Sequence, residues 1–271
     1  MLGGVMDLVK AAEVFHFVKG RLAASEKTIV ANHNLHSLHL MRRDPQVAAF
    51  FDKAHLTEVD STPLIFWTRL IGGSGRRFHR CTYLDWRDAF WTEAVANHWR
   101  VFFLGGVDGV GERARARILS QWPDAQLATH HGHFDMDPGS AANTAVLAAI
   151  TQFAPQILLV GMGMPRQELW LLNNYDRLPI CAMFTVGGAF DYEAGVQAAC
   201  PRWIGQLGLE WLFRLCRDPR RLFTRYCIEP CDLISPAIAD IWRALRRPAA
   251  RRRRRLKAAP SPDRSPVRPS K

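Results

Sequence analysis

The sequence of 271 residues has few cysteines and no long apolar run. Six cysteines are too few for a disulfide-stapled scaffold and none forms a Cys-x-x-Cys pair, so reduced thiols in a cytosolic protein are expected. No stretch of 18 consecutive apolar residues occurs, so the sequence predicts no membrane-spanning helix. The first ten residues lack a basic region followed by a long apolar stretch, so no signal peptide is expected.

Acidic residues are scarce at the C-terminal end. The chain has 36 Lys and Arg against 25 Asp and Glu, a net charge of +11. Residues 246–271 contain eleven basic residues and one acid, so they carry nearly all of that excess. This tail is rich in Arg, Pro, Ala and Ser, a composition that predicts disorder. The remainder is close to neutral, and a hydrophobic content of 48% predicts that it folds.

Short apolar runs alternate with amphipathic stretches along the first 200 residues. The runs are residues 28–31, 101–104, 157–160 and 180–186. Continuous apolar runs of this length are typical of strands that are buried on both faces. Helical patterns lie between them, for example over 109–121 and 141–153. The alternation predicts an α/β fold with a Rossmann-like parallel sheet and flanking helices.

We divide the chain into three regions. Residues 1–201 form the α/β core, residues 202–245 a C-terminal helical segment, and residues 246–271 the basic tail. Arginine and aromatic residues alternate in the C-terminal segment, and Pro219 after Asp218 is placed to open a helix. Its aromatic residues could cover an active site, pack on a neighbouring subunit or enter a membrane interface. A homo-oligomer therefore stays possible.

Three strand-to-helix corners are rich in glycine. They contain Gly105 and Gly106, Gly161 and Gly163, and Gly187 with Gly188. Ligands of a parallel sheet bind at the carboxyl ends of its strands, where glycine amides and helix N-termini favour phosphate. We therefore predict a phosphate-containing ligand, against the alternative that glycine only turns a tight corner. The spaced dinucleotide fingerprint is missing, which argues against an oxidoreductase.

Polar side chains also follow the predicted strands. Asn32 and Asn34 end the first run, Asp60 lies in a polar turn, and Arg80 and Asp85 flank the next polar stretch. A carboxylate at a strand end near a phosphate site can act as a general base toward a sugar hydroxyl. The alternative for any single Asp is a turn or helix cap.

Several short motifs from these regions occur in the order and spacing of a known family. They are Gly161-Met-Gly-Met-Pro-Arg-Gln-Glu168, Gly188-Ala-Phe-Asp191 with Gly195, Pro201-Arg-Trp203, Gly208-Leu-Glu-Trp-Leu-Phe-Arg-Leu215, Pro219-Arg-Arg-Leu222 and Arg225-Tyr226. Over roughly residues 25–232 the chain resembles the WecG/TagA/CpsF glycosyltransferases. The stretches 31–38 and 59–64 look closest to the exopolysaccharide branch, which includes the xanthan-type β-1,4-glucosyltransferase.

The resemblance implies an inverting, metal-independent glycosyltransferase that uses no cofactor. It would move a hexose, most simply from UDP-glucose, to a sugar on undecaprenyl diphosphate at the cytoplasmic face of the membrane, where the enzyme would be a peripheral protein. The alternative within the family is transfer of N-acetylmannosamine to N-acetylglucosamine on a lipid diphosphate.

The resemblance also assigns residues. The catalytic residues implied are Asp60, which matches the family's proposed base, and Asn34, which matches its Asn after the first strand. Asn32 stands where many relatives have Thr, and Ser61 and Tyr83 replace usual glycines. The substrate-binding residues implied are Asn32, Arg80, Asp85, Gly105, Gly106, Gly161, Gly163, Gln167, Glu168, Gly187, Asp191, Arg214, Arg221 and Arg225.

Other functions remain as weaker alternatives. Asp135-Met-Asp137 is a D-x-D pattern that could hold a divalent cation, although the following Pro-Gly favours a turn. Histidines cluster at 33–39 and 130–133, where packing or substrate contacts are favoured over zinc. The basic tail could bind nucleic acid, but no nucleic-acid motif accompanies it, so an anionic membrane surface is the preferred partner.

Overall fold

The computed structural model describes residues 1–198, 200, 201, 204 and 209–246, with the backbone alone of Arg221. Its centre is a six-stranded sheet in the order β2-β1-β6-β5-β3-β4, in which every pair is parallel. The strands are β1 (Thr28–His33), β2 (Leu56–Val59), β3 (Arg100–Gly105), β4 (Gln126–His130), β5 (Ile157–Gly161) and β6 (Ala182–Thr185). The predicted α/β fold with a parallel sheet is confirmed.

Helices connect the strands and extend the chain beyond β6. They are α1 (Ala11–Ala23), α2 (Leu35–Arg43), α3 (Pro45–Lys53), α4 (Thr62–Leu70), α5 (Tyr83–Ala96), α6 (Val110–Gln121), α7 (Ala141–Phe153), α8 (Arg166–Asn174), α9 (Ala189–Glu193), α10 (Glu210–Arg217), α11 (Pro219–Phe223) and α12 (Ile234–Leu245). A 3₁₀ turn lies at Arg77–His79, a π-helical turn at Thr224–Ile228 and a second 3₁₀ turn at Glu229–Leu233. Among the described residues no helix is long and apolar enough to span a bilayer.

The helices cover both faces of the sheet. Side chains of α1, α5, α6 and α9 form one buried cluster with one face, and those of α3, α7 and α8 form a second cluster with the other. The neighbouring strands β3 and β5 are followed by α6 and α8, which lie on opposite faces. Such a change of side opens a crevice at the carboxyl ends of the strands, where open α/β sheets bind ligands.

Strand β2 lies at one edge of the sheet, and its outward backbone groups have partners. The amide of Thr57 donates to Oδ2 of Asp7 over 2.9 Å, and its carbonyl accepts from the amide of Asp7 over 2.8 Å. The carbonyl of Val59 accepts from the amide of Cys81 over 2.9 Å. The segment before α1 and the segment before α5 thus cover this edge and bring Arg80 next to the end of β2.

The C-terminal segment packs on α2 and α4. Nδ1 of His36 lies 2.5 Å from Oε2 of Glu229, and Arg43 donates twice to Asp232 over 2.8 and 2.9 Å. The buried Asp240 accepts from the amide of Leu2 over 2.6 Å. These contacts fix the segment beside the carboxyl ends of β1 and β2.

The arginine-rich stretch of the C-terminal segment is not one continuous helix. Pro219 begins α11, as predicted, and the π-helical turn Thr224–Ile228 follows it. Helical phase is lost between the two ends of this stretch, so Arg217 is exposed while Arg225 lies against the site described below.

A buried ion pair links α5 to α9. Glu193 is 3% exposed and accepts from Oη of Tyr83 over 2.9 Å and from Nη2 of Arg87 over 3.0 Å. Replacing Arg87 by Met would leave this carboxylate buried without its cation, and we expect the free energy of unfolding to fall by about 3 kcal/mol. Urea denaturation followed by circular dichroism measures it. Arg113→Met, an exposed position on α6, is the control, and equal unfolding midpoints for both variants would contradict the prediction.

Candidate active site

A cavity of about 300 Å³ opens at the carboxyl ends of β1 and β2. Asn34 follows β1 and Asp60 follows β2, and the amide of Asp60 donates to the carbonyl of His33 over 2.8 Å. Since the two strands are neighbours, both side chains line the cavity. The C-terminal segment supplies the opposite wall with Glu210, Trp211, Arg214, Arg225, Tyr226 and Pro230.

The Asp60 carboxyl has an unusual electrostatic environment. Burial, reinforced by the nearby Glu210, raises the pKa of Asp60 to about 7, against the opposing effect of Arg80 and Arg214. A carboxylate with its pKa near the working pH is a much stronger base than an ordinary aspartate. The fold thus places a carboxyl group of raised pKa at an open cavity, and the role of Asp60 as a general base stays a prediction.

Three arginines surround Asp60 and differ in how far their charges are neutralised. Arg80 pairs with Asp85 over 3.0 Å and with Glu210 over 3.1 Å. Arg214 donates from Nη2 to Oη of Tyr192 over 2.8 Å, whereas its buried Nε has no hydrogen-bond acceptor in the described part of the chain. Burial lowers the pKa of Arg225, which lies in the same cavity. Arg214 and Arg225 are suited to bind an anionic group of a ligand.

Asp85 lies beside this group rather than in it. Its Oδ2 accepts from Nε of Arg80 over 3.1 Å and from Oγ1 of Thr82 over 2.7 Å. Asp85 therefore orients Arg80. The predicted contact of Asp85 with substrate stays a prediction.

Asn32 in β1 and Asn34 directly after it each use one atom of the side-chain amide to hold the fold. Oδ1 of Asn34 accepts from the amide of Ser37 over 3.0 Å and so caps α2, while its Nδ2 lies 4.0 Å from Sδ of Met164. Nδ2 of Asn32 donates to the carbonyl of Thr185 over 2.8 Å, and its Oδ1 is buried with no donor among the described residues. The remaining amide atoms, Oδ1 of Asn32 and Nδ2 of Asn34, are left for a ligand or a neighbouring side chain.

Gln167 and Glu168 lie at the start of α8, behind the corner that follows β5. Nε2 of Gln167 donates to Oε1 of Glu168 over 2.8 Å, and Oε1 of Gln167 accepts from the amide of Gly187 over 3.2 Å. Glu168 is 1% exposed, its Oε2 has no partner within the described residues, and burial raises its pKa to about 7. Gln167 thus ties two corners of the sheet together.

The glycines of the corners allow the strands to approach each other. A Cβ atom on Gly105 would overlap the carbonyl of Gly161, and one on Gly161 would overlap the carbonyl of Gly187. The amide of Gly106 donates to the carbonyl of Gly161 over 3.3 Å, and the Gly187 amide is held by Gln167. These two amides, expected to face a phosphate, already have acceptors inside the protein.

The remaining corner residues lie around this packed centre. Gly163 has a φ of +78°, which lets the chain turn before the cis Met164–Pro165 bond. The carboxylate of Asp191, on α9, lies beside Gly106 and Gly188. Asp191 is therefore close to two of the three corners, although its contact with a ligand remains a prediction.

The Asp60 cavity and the glycine-rich corners lie on the same edge of the sheet at a defined separation. Asp60 follows β2 and the Gly161 corner follows β5, three strand spacings away in the sheet order. Three spacings amount to about 14 Å. An extended ligand, such as a sugar joined to a nucleoside diphosphate, could contact both groups.

The Asp135-Met-Asp137 stretch and His33, the weak alternatives for a metal site, have local contacts. Oδ1 of Asp135 accepts from the amide of Asp137 over 3.0 Å, and Oδ1 of Asp137 from the amide of Gly139 over 2.8 Å, as in a capped turn. His33 stacks on Phe51 at 4.0 Å between ring centroids. In the part of the chain that the structure describes, no group of three or more His, Cys, Asp or Glu side chains could hold a metal ion.

Some predicted residues lie outside the described part. The side chain of Arg221 and residues 202, 203, 205–208 and 247–271 are not described, so the expectations for Arg221 and for the basic tail stay predictions.

Sequence reasoning missed Glu58, Glu210 and Tyr192. Glu58 is buried two residues before Asp60, and burial, together with Asp60, raises its pKa to about 8. The sequence already showed the two acidic residues close together, with one residue between them. Glu210 and Tyr192 carried no such signal, because they contact Arg80 and Arg214 only after the C-terminal segment has docked.

A carboxyl of raised pKa beside two arginines, at the carboxyl edge of a parallel α/β sheet, is an arrangement suited to an enzyme that acts on an anionic substrate. The family model for the Glycosyl transferase WecG/TagA/CpsF family matches residues 1–249, and the chain belongs to this family. It is a glycosyltransferase, as the resemblance implied.

Curated relatives come from several strains of Staphylococcus aureus. The proteins of strains MRSA252, MW2 and NCTC 8325 are each 28% identical over 204 residues, covering 72% of this chain and 78% of the relative. Each is named N-acetylglucosaminyldiphosphoundecaprenol N-acetyl-beta-D-mannosaminyltransferase.

Proposed function

We propose that the protein transfers N-acetylmannosamine from UDP to N-acetylglucosamine on a polyprenyl diphosphate, with inversion at the anomeric carbon. The names of the relatives support the transferred sugar and the acceptor, and the UDP carrier comes from the family resemblance. They favour the second of the two donors that the sequence left open over UDP-glucose. The observation that carries the proposal is the Asp60 carboxyl, with its pKa of about 7, facing Arg214 and Arg225 across one cavity.

The chemistry follows from the two sides of this cavity. Asp60 takes the proton from the acceptor hydroxyl as that oxygen forms its bond to the anomeric carbon. The bond from this carbon to the UDP oxygen breaks, and its electron pair goes to the diphosphate. Arg214 and Arg225 stabilise the charge that develops there. A single displacement of this kind inverts the anomeric configuration.

The corners after β5 and β6 would hold the nucleotide end of the donor. Gln167 and Glu168 lie at the β5 corner, and Asp191 follows the β6 corner. The unpartnered Oε2 of Glu168 and the carboxylate of Asp191 are acceptors suited to ribose hydroxyls or base amides. In this pose the donor runs along the sheet edge and places its sugar near Asp60.

The reaction is proposed to need no metal ion. Arg214 and Arg225 supply the positive charge that a divalent cation would otherwise bring to the leaving diphosphate. Transfer is expected to continue at an unchanged rate after dialysis against EDTA, measured by mass spectrometry of the lipid-linked product. Loss of transfer that manganese restores would contradict this and would bring Asp135 and Asp137 back into consideration.

We propose further that the enzyme works at an anionic membrane surface. The apolar side chains of α12 lie along one exposed stripe, followed directly by the basic tail. The stripe consists of Ile234, Ile238, Ile241, Trp242 and Leu245. An exposed apolar stripe beside a basic run is suited to the interface of a membrane with anionic lipids.

Vesicle flotation tests this placement. With phosphatidylglycerol vesicles, the Ile238→Ser/Trp242→Ser variant and a chain ending at Leu245 are each expected to float less than wild type. Neutral phosphatidylcholine vesicles are the control, since removing the tail should matter little there. Equal flotation of all three proteins on anionic vesicles would contradict the membrane proposal and favour an interface between subunits.

A donor screen tests the proposed reaction. The purified protein is incubated with a short N-acetylglucosaminyl-diphosphate lipid and either UDP-N-acetylmannosamine or UDP-glucose. We expect a disaccharide product with the former and a much slower reaction with the latter. A product formed with UDP-glucose alone would contradict the proposed donor and would support the UDP-glucose donor expected from the exopolysaccharide branch.

A further inference from the structure

A second cavity, of about 380 Å³, adjoins the Asp60 cavity. The two share Thr62, Arg80 and Glu210 as lining residues, so one opens directly beside the other. Its outer walls come from α4 and from the 3₁₀ turn Arg77–His79. None of the reaction steps above uses this space.

The second cavity carries positive charge. Arg69 and Arg77 line it together with Arg80. Arg80 is already neutralised by Asp85 and Glu210, and Arg69 has no ion-pair partner within the described residues. The positive charge that Arg69 contributes is therefore available to an anionic ligand.

The same cavity has an apolar rim. Phe66 and Phe78 line it, although their side chains are 52% and 56% exposed, and Leu70 beside them is 70% exposed. Large exposed apolar side chains next to arginines suit a ligand that has a charged head and a hydrocarbon chain. A soluble nucleotide would leave these side chains in water.

The spacing along α4 separates the two ends of such a ligand. Thr62 lines both cavities and Arg69 lies seven residues further along the helix. Seven residues of α-helix rise by about 10 Å. A sugar at Thr62 and Asp60 would thus leave room for a linked diphosphate to reach Arg69.

The strand order decides which substrate this side receives. The donor is placed over the inner strands β5 and β6, whereas β2 is the edge strand and α4 follows it. In an inverting displacement the acceptor hydroxyl approaches from the side opposite the leaving group. The acceptor therefore enters from the edge of the sheet, where the second cavity lies.

We infer that the second cavity binds the diphosphate and the first isoprene units of the lipid acceptor, with Arg69 and Arg77 on the diphosphate and Phe66 and Phe78 against the hydrocarbon. This inference rests on the proposed function for the identity of the acceptor. Arg69 and Phe78 are then determinants of acceptor binding rather than catalytic residues.

Binding of sugar-free probes tests the inference without any transfer reaction. Calorimetry with farnesyl diphosphate and with inorganic pyrophosphate is compared for wild type, Arg69→Gln/Arg77→Gln and Phe66→Ser/Phe78→Ser. The arginine variant is expected to bind both probes about tenfold more weakly, because it loses charge-assisted hydrogen bonds. The phenylalanine variant is expected to weaken farnesyl diphosphate alone, since pyrophosphate has no hydrocarbon to bury.

Controls separate this site from the donor site and from misfolding. Arg113→Gln removes an exposed arginine of α6 and should bind both probes as wild type does. UDP affinity and the thermal midpoint should be unchanged in all variants. Wild type that does not bind farnesyl diphosphate, or variants that bind it as wild type does, would overturn the inference. Failure of sugar transfer with probe binding intact would count against the proposed function alone.

Discussion

The Asp60→Asn enzyme is expected to transfer sugar about 10³-fold more slowly than wild type. The amide has nearly the shape of the carboxyl but cannot take a proton from the acceptor hydroxyl. UDP affinity should stay unchanged, because the proposed pose holds the nucleotide over β5 and β6, whereas Asp60 follows β2. Single-turnover kinetics with mass spectrometry measure the transfer, and calorimetry measures UDP binding.

The pH profile gives this variant a second readout. With the pKa of Asp60 raised to about 7, wild-type kcat/KM should rise with pH up to about 7 and level off above it, because only the ionised carboxylate accepts a proton. In the Asn variant kcat/KM should not show this rise with pH. Asp52→Asn, at an exposed position of α3, should keep it. An unchanged rate for Asp60→Asn would remove Asp60 from the mechanism.

Replacing Arg225 by Ala is expected to lower kcat by about 10²-fold, because a cation that faces the leaving diphosphate acts mainly in the transition state. Rapid-quench measurement of the sugar transferred at saturating donor gives this rate directly. Arg225 is preferred to Arg214 for the test because Arg214 also donates to Tyr192, and its loss would remove that hydrogen bond as well.

Arg217→Ala is the matched control for Arg225→Ala. Arg217 is exposed on α10, with its guanidinium 5.5 Å from the ring centroid of Phe213, and it lies outside the Asp60 cavity. Its kcat should equal that of wild type. If both arginine variants slowed transfer equally, the effect would reflect the overall charge of the segment and not the geometry at Arg225.

Much of the fold follows from local sequence. Continuous apolar runs predict β1, β3, β5 and β6 because these strands are buried on both faces. Strands β2 and β4 could not be predicted in this way because neither is a continuous apolar run. Strand β2 has Thr57 and Glu58 among only four residues, and β4 begins with the exposed Gln126. The run at 180–186 also begins too early, because Ile180 is 52% exposed and β6 starts at Ala182.

The site is less completely predicted than the fold. Asp60 and Asn34 could be placed because strand ends of a parallel sheet meet at one edge. The pKa of Asp60 could not, because it depends on burial and on Glu210, which approaches from 150 residues along the chain. The glycines could not be assigned from sequence for a different reason. A glycine at a corner can present its amide to a phosphate or can let two strands pack closely, and the sequence pattern is the same in both cases. The structure shows close packing for Gly105 and Gly161.

The covering of β2 by Asp7 and Cys81 has a consequence for self-association. An uncovered edge strand is a template onto which another chain can add a strand and extend the sheet between molecules. Here the outward amide of Thr57 and the outward carbonyls of Thr57 and Val59 are already occupied. Any dimer or larger assembly formed on this side must therefore depend on side-chain contacts. Its dissociation constant should then change when single surface residues are substituted.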